Sequence, residues 1–156
     1  MRRLAAGFVL IVLTATPALA QTSVSIALRR AGRVVGTHAT LPATAHGLVI
    51  GTSTRVAGRL GAWASWTNWP EEIGQTIAVG GRLNLARPGW KLRPGVLLGT
   101  WRKPERGAPW ELIFGGGVSF GLQGRWSGSV ALGVITIRSS GLAYAVPQAG
   151  VAYTFP

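Results

Sequence analysis

The chain has 156 residues, no cysteine, and sixteen Lys and Arg residues against four acidic ones, for a formal net charge of +12. Without cysteine there is no disulfide framework and no thiol nucleophile, so packing and hydrogen bonds alone must stabilise the protein. Beyond the N-terminal region no stretch approaches the ~18 apolar residues of a membrane-spanning helix. The excess of positive charge indicates anionic neighbours, either nucleic acid or phosphate-rich lipid, unless the charges only keep turns and strand ends hydrated.

The first twenty residues have the pattern of a secretory signal peptide. Arg2 and Arg3 precede an apolar run from Leu4 to Leu13, and Ala18-Leu19-Ala20 offers a small-x-small cleavage site before Gln21. The sequence therefore predicts a cleaved signal peptide at 1–20 and a single domain at 21–156. Export argues against nucleic acid as a partner.

Alternation with a period of two dominates the remaining sequence, and no window shows a convincing helical period. Between Trp110 and Gln123 one face carries large apolar residues, whereas the other carries Glu111 and mostly glycine, serine and glutamine. The same rhythm predicts eight strands in chain order, at 23–31, 46–56, 60–69, 75–86, 91–102, 110–123, 125–138 and 146–155.

The breaks between these strands alternate between tight and long. Tight turns rich in glycine or proline are predicted at 57–59, 87–90 and 123–125, and longer breaks at 32–45, 70–74, 103–109 and 139–145. An even number of alternating strands with short turns at one end and longer loops at the other is typical of a transmembrane β-barrel.

The composition of the two faces supports a membrane barrel over a soluble one. A soluble barrel points its large apolar residues inward, but the interior of eight strands has little room beyond its side chains. We therefore expect the small and polar face to line the lumen and the bulky face to contact lipid. The fold class predicted is all-β, an eight-stranded antiparallel up-and-down transmembrane β-barrel.

Tryptophan placement fits two aromatic girdles at the water–lipid boundaries. Trp69, Trp101 and Trp110 fall at predicted outer strand ends, and Trp90 and Trp126 at inner ends. Trp63 and Trp66 have opposite parity, so one of them is expected to face the lumen.

The C-terminal segment resembles the terminal signature of bacterial outer-membrane β-barrel proteins. A polar residue, a glycine and two spaced aromatics occur here as Gln148, Gly150, Tyr153 and Phe155. The chain departs from the pattern at Pro156, because the family usually ends on the aromatic residue. The resemblance, closest to the small eight-stranded members, implies the outer membrane of a Gram-negative cell. It also implies that barrel-assembly machinery reads Gly150, Tyr153 and Phe155.

Motifs for chemistry are scarce. His38 and His46 are the only histidines, and no spacing fits a metal site, so we expect no metal and no cofactor. Some small outer-membrane barrels modify lipid A acyl chains, and the one arrangement available here is His46 with a nearby serine and Glu111. No spacing matches those enzymes, so an enzyme is the less favoured interpretation.

Glu111 is expected in the lumen, where a buried carboxylate needs a partner. Arg29, Arg82 and Arg138 are the candidates for a polar pair that plugs the barrel, and Arg138 has the parity of the lipid side.

The leading functional hypothesis is a small outer-membrane barrel with a structural or membrane-integrity role. Its basic rims would contact lipopolysaccharide phosphates through Arg30, Arg33, Arg102, Lys103 and Arg106. The alternatives are a barrel enzyme acting on lipid A acyl chains and a soluble periplasmic ligand-binding barrel.

Overall fold

A computed structural model describes residues 21–36, 44–69 and 74–156. The predicted signal peptide at 1–20 and His38 lie outside the described residues. The described residues contain no helix long and apolar enough to cross a bilayer. The strands are β1 (Thr22–Val35), β2 (Thr44–Ala57), β3 (Leu60–Trp69), β4 (Gly74–Asn84), β5 (Leu92–Arg102), β6 (Glu111–Gly121), β7 (Trp126–Ile137) and β8 (Leu142–Thr154).

Each strand pairs antiparallel with its neighbours in sequence, and β8 pairs with β1 to close the barrel. Closure satisfies the backbone N–H and C=O groups of every strand, as a lipid environment requires. At ~3.3 Å per residue and a tilt of ~40°, strands of this length span about 25–35 Å along the barrel axis. The predicted eight-stranded up-and-down barrel is confirmed. We call the end where β1 begins and β8 finishes the terminal end, and the opposite end the distal end.

The three largest differences from the predicted boundaries include two at the distal end. β1 continues to Val35 and β8 begins at Leu142, because Gly32 pairs with Ala145 and, after a bulge, Val35 pairs with Ala143. The predicted loop at 139–145 therefore shrinks to a short 3-10 turn at Arg138–Ser140.

The third difference is at the terminal end, where the β4–β5 connection occupies residues 85–91 and is longer than the predicted turn. Hydrogen bonds hold its start and its middle. Leu85 N–H donates to the carbonyl of Pro94, and Ala86 N–H donates to the Asn84 Oδ1. Trp90 N–H donates to the carbonyl of Arg87 and closes the turn that contains Pro88 and Gly89.

The outward face is apolar around the barrel, as predicted. Leu98 and Leu132 are 60% and 57% exposed, whereas inward-facing Trp69 and Tyr144 are 3% and 2% exposed. Other large apolar residues on the outward face include Ile26, Leu28, Leu48, Val79, Val96, Phe114, Val130 and Val151. A continuous exposed apolar belt of this extent is unfavourable in water and favourable against lipid tails.

The distal half of the lumen is filled by an apolar cluster rather than by the small and polar residues that the sequence predicted. The cluster contains Trp69, Trp101, Ile113, Ile135, Leu142, Tyr144 and Val146, packed with Ala31, Ala45 and Ala78. We call these residues the distal plug. The assignment of Trp69 and Trp101 to the outer aromatic girdle was therefore wrong, because both indoles point inward.

Small neighbours explain why these indoles fit inside. Trp101 of β5 pairs with the small Ala78 of β4. A Cβ added at Gly47 would lie 2.8 Å from the Trp69 ring, so a larger residue there would collide with the indole. Trp63 is the inward member of the Trp63/Trp66 pair, and its indole N–H donates to the carbonyl of Gly81 at 3.1 Å. A Cβ at Gly99 would lie 2.8 Å from the Trp63 ring, so glycine is required there for close packing.

Candidate functional site

Aromatic residues do form boundary clusters on the outward face, but fewer than predicted. At the terminal end, Tyr153 packs edge-on against Trp126 and Phe155, with ring centroids 5.2 and 5.1 Å apart. Trp90 is also exposed at this end. At the distal end, the Arg102 guanidinium lies 5.3 Å from the Trp110 ring centroid. Amphipathic rings at these two levels fit the boundaries of a bilayer.

A polar network crosses the lumen beside the distal plug. The Arg29 Nε and Nη2 atoms donate to the Gln148 Oε1 at 3.1 and 2.7 Å, and the Nη1 atom donates to the Thr67 Oγ1 at 3.2 Å. Arg29 and Gln148 are direct partners in the β1–β8 register. The guanidinium is therefore held in the lumen by neutral acceptors on β8 and β3.

Glu111 is buried inside the distal end, as its parity predicted, but it binds backbone rather than an arginine side chain. Its Oε2 accepts a hydrogen bond from the N–H of Arg138 at 3.0 Å. Arg138 opens the 3-10 turn between β7 and β8, where an acceptor satisfies an otherwise unpaired N–H group. Glu111 thus anchors the β7–β8 connection to the start of β6.

The structure does not bring Glu111 together with Arg29 or Arg82. Arg82 lies toward the terminal end, where it pairs with Leu97, whereas Glu111 pairs with Trp101 at the distal end of β5. The Arg82 Nη1 donates to the Ser53 Oγ at 3.2 Å. The three predicted lumen residues therefore have three separate sets of partners.

The predicted outer-rim cations lie at the distal end but do not share one face. Arg30 is exposed on the outward face opposite His46, whereas Arg33 is on the inward side opposite Tyr144. Arg102 faces outward and donates to the carbonyls of Lys103 and Glu105 at 3.1 and 3.0 Å. Lys103 and Arg106 belong to the β5–β6 connection. Arg30 and Arg102 are thus the two that face the lipid side of the wall.

Among the described residues, net positive charge is greatest at the terminal end, where sequence reasoning had not looked for a site. Seven of the fourteen Lys and Arg residues in 21–156 belong to this end: Arg55, Arg59, Arg82, Arg87, Lys91, Arg93 and Arg125. The two acidic residues that the structure describes, Glu105 and Glu111, both lie at the distal end. Glu71 and Glu72 lie outside the described residues. A signal for this sorting was present in the sequence, because all four acidic residues fall in or beside the predicted long breaks.

The arrangement proposed for acyl-chain chemistry is not formed. His46 is exposed on the outward face, whereas the Glu111 carboxylate is buried in the lumen, so the barrel wall separates them. A base and its orienting acid must be within hydrogen-bond reach. Among the described residues, no group of three His, Asp or Glu side chains could hold a metal ion.

Comparison with solved structures agrees with the fold. The chain is similar to a de novo designed transmembrane β-barrel, with a TM-score of 0.62, 14% identity, and coverage of 85% of this chain and 95% of that one. It is also similar to the N-terminal β-barrel domain of Pseudomonas aeruginosa OprF, with a TM-score of 0.58, 16% identity, and coverage of 85% and 97%. For Ail, the attachment invasion locus protein of Yersinia pestis, the TM-score is 0.59, the identity 15%, and the coverage 88% and 99%.

No protein-family model matches the sequence, and neither does any curated protein with which it was compared. The similarity to these solved structures confirms, at the level of the fold, the resemblance to small eight-stranded outer-membrane barrels.

Proposed function

We propose that the protein is an integral outer-membrane barrel with a structural, membrane-integrity role. The observation that carries this proposal is the combination of a continuous outward apolar belt with a lumen filled at its distal half. A belt of this kind is stabilised by lipid tails, and a lumen packed with side chains leaves little path for solutes. The similar folds of OprF and Ail support the outer membrane as the location.

Export and assembly follow from the two ends of the chain. Residues 1–20 would act as a cleaved signal peptide. Gly150, Tyr153 and Phe155 would be read by the barrel-assembly machinery, and their geometry supports this role. Tyr153 near the end of β8 and Phe155 just after it pack together on the outward face beside the β1–β8 pair, where a recognition surface would be accessible before closure. In this orientation the terminal end faces the periplasm and the distal end faces outward.

Contact with lipopolysaccharide phosphates is the second part of the proposal. Arg30 and Arg102 support it best, because both lie on the outward face at the distal rim. Arginine pairs with phosphate through two parallel hydrogen bonds, which favours it at such a boundary. Lys103 and Arg106 would add charge from the adjacent connection, whereas Arg33 would contribute only from the inner side of the rim.

The two alternatives have less support. A lipid A acyl-chain enzyme needs a catalytic group that the separated His46 and Glu111 do not supply. A soluble periplasmic binding barrel would have to expose the apolar belt to water, which is unfavourable by ~25 cal/mol for each Å² exposed.

Refolding into vesicles tests the proposal. We expect residues 21–156 to fold into phosphatidylcholine vesicles and to show faster migration on gels without heating than after heating. Lipopolysaccharide should stabilise the folded barrel, and Arg30→Gln with Arg102→Gln should remove most of that gain. The matched control is Arg59→Gln with Arg125→Gln, which makes the same charge change at the terminal end. A detergent-free soluble monomer, or equal losses in both double variants, would contradict the proposal.

A further inference from the structure

A basic vestibule opens at the terminal end of the lumen. It has a volume of about 770 Å³ and is bounded by the start of the β2–β3 turn, the β4–β5 connection, and the ends of β5 and β6. Its lining includes five cationic residues, Arg55, Arg59, Arg87, Lys91 and Arg93. Volumes of this size are typical of cavities that hold small-molecule ligands.

The positive charge of this vestibule has no acidic counterpart in its lining. A sixth cation, Arg82, lies beside the vestibule lining. Gly61 of β3 pairs with the lining residue Arg55 on one side and with Arg82 on the other. A cavity of this volume is on the order of 10 Å across, comparable with the ~8 Å Debye length at physiological ionic strength. The cations therefore repel one another, and a bound anion with several charges would relieve that repulsion.

The vestibule opens at the terminal end of the lumen. Toward the distal end the lumen is occupied first by Trp63 and the Arg29–Gln148–Thr67 network and then by the distal plug. A ligand therefore enters and leaves through the mouth at the terminal end. This geometry suits capture and retention better than passage.

Strand parity separates a soluble ligand from a lipid headgroup. Arg55, Arg82 and Arg93 all point to the lumen side of their strands, where they pair in register with Gly61, Leu97 and Ser119. The barrel wall lies between these side chains and the surrounding lipid. A headgroup in the adjacent leaflet would meet the outward side of the wall instead.

We propose that the vestibule is a binding site for a soluble anion that carries several phosphate groups. Four of the five lining cations are arginines, whose forked guanidinium matches phosphate oxygens. Asn84, also in the lining, adds an amide beside them. The site goes beyond the structural role proposed above and depends on it only for the compartment from which the ligand comes.

Calorimetric titration of the folded barrel in a neutral detergent with inorganic tripolyphosphate tests the site. Binding should weaken steeply with added salt and should fall by roughly tenfold or more in Arg55→Gln with Arg93→Gln, because two charge-assisted contacts are lost. Arg87→Gln with Lys91→Gln changes only the connection outside the strands and should weaken binding without affecting folding. The matched control, Arg125→Gln with Arg138→Gln, makes the same charge change at two side chains outside the vestibule lining and should bind like the parent protein.

Two results would overturn the proposal. One is tripolyphosphate binding that is absent, or that is weakened equally by the Arg125/Arg138 control and by the vestibule variants. The other concerns phosphatidylglycerol, tested by native mass spectrometry after refolding with that lipid. If the parent protein retains the lipid and the vestibule variants lose it, the site binds a lipid headgroup. Since the titration is done in detergent, a failure of phosphate binding is distinguishable from a failure to insert into vesicles.

Discussion

Replacing Gln148 by glutamate tests the central polar contact of the lumen. Two Arg29 nitrogens donate to the single Oε1 of Gln148, at 3.1 and 2.7 Å. A carboxylate at the same place would offer two oxygens and turn both bonds into charge-assisted ones. Neutral hydrogen bonds contribute about 0.5–1.5 kcal/mol each and those to charged groups about 1.5–3 kcal/mol, so two bonds gain about 2 kcal/mol before desolvation. Part of this gain is offset by burying the carboxylate, and we expect a net stabilisation of about 1 kcal/mol.

The assay is equilibrium urea unfolding in detergent or vesicles, followed by tryptophan fluorescence. Gln148→Leu should lower the free energy of unfolding by about 2–4 kcal/mol, because it leaves Arg29 with Thr67 as its remaining acceptor in the network. Arg29→Met combined with Gln148→Leu should recover most of that loss, since both partners become apolar. A destabilisation of several kcal/mol by Gln148→Glu would refute the reasoning, because it would mean that the introduced carboxylate has no cation beside it.

Three further changes follow from other contacts. Glu111→Leu should lower the free energy of unfolding by about 1–3 kcal/mol in the same assay, because the Arg138 N–H loses its acceptor. Glu111→Gln should lower it less, and equal losses for the two variants would argue against the hydrogen bond. Leu132→Arg on the outward face should cost about 2–4 kcal/mol in vesicles, and no cost would argue against lipid contact there. Trp69→Ala with Trp101→Ala should raise single-channel conductance in planar bilayers above that of the parent protein, and unchanged conductance would argue that the distal plug does not close the lumen.

Strand number, parity and closure could be predicted from the sequence because the physical signal is repeated in every strand. A lipid-facing residue at every second position is visible wherever the opposite position is small or polar, as along β6 and β7. The alternation holds on β8 as well, where the Thr154 hydroxyl contacts the Ser23 hydroxyl across the β1–β8 pair at 2.9 Å.

The distal plug could not be predicted by the same rule, since Trp69 and Trp101 are large apolar residues on the inward face. Their direction depends on register with Gly47 and Ala78, which provide the space for the indoles. Aromatic residues near strand ends suggest a girdle, but a single sequence does not show which side of the wall they occupy.

Lumen partners were missed for a related reason. In the sequence, Arg29 was predicted to pair with Glu111, and Gln148 was assigned only to the terminal signature. The β1–β8 register, which places Arg29 and Gln148 side by side, depends on closure of the barrel. The Glu111 carboxylate similarly accepts a hydrogen bond from the backbone N–H of Arg138 at the start of the 3-10 turn. A pattern of side chains in the sequence does not predict such a backbone partner.

Fluorescence quenching by brominated lipid tests most directly that the apolar face contacts the membrane. The chain has no cysteine, so single cysteines can be placed and labelled at neighbouring positions of β7. We expect a fluorophore at Leu132→Cys to be quenched strongly in vesicles with brominated acyl chains, and one at Ala131→Cys, on the lumen side, to be quenched little. The same alternation should recur on β8 between Val151→Cys and Ala152→Cys. Equal quenching at neighbouring positions, or stronger quenching on the inward face, would contradict the account.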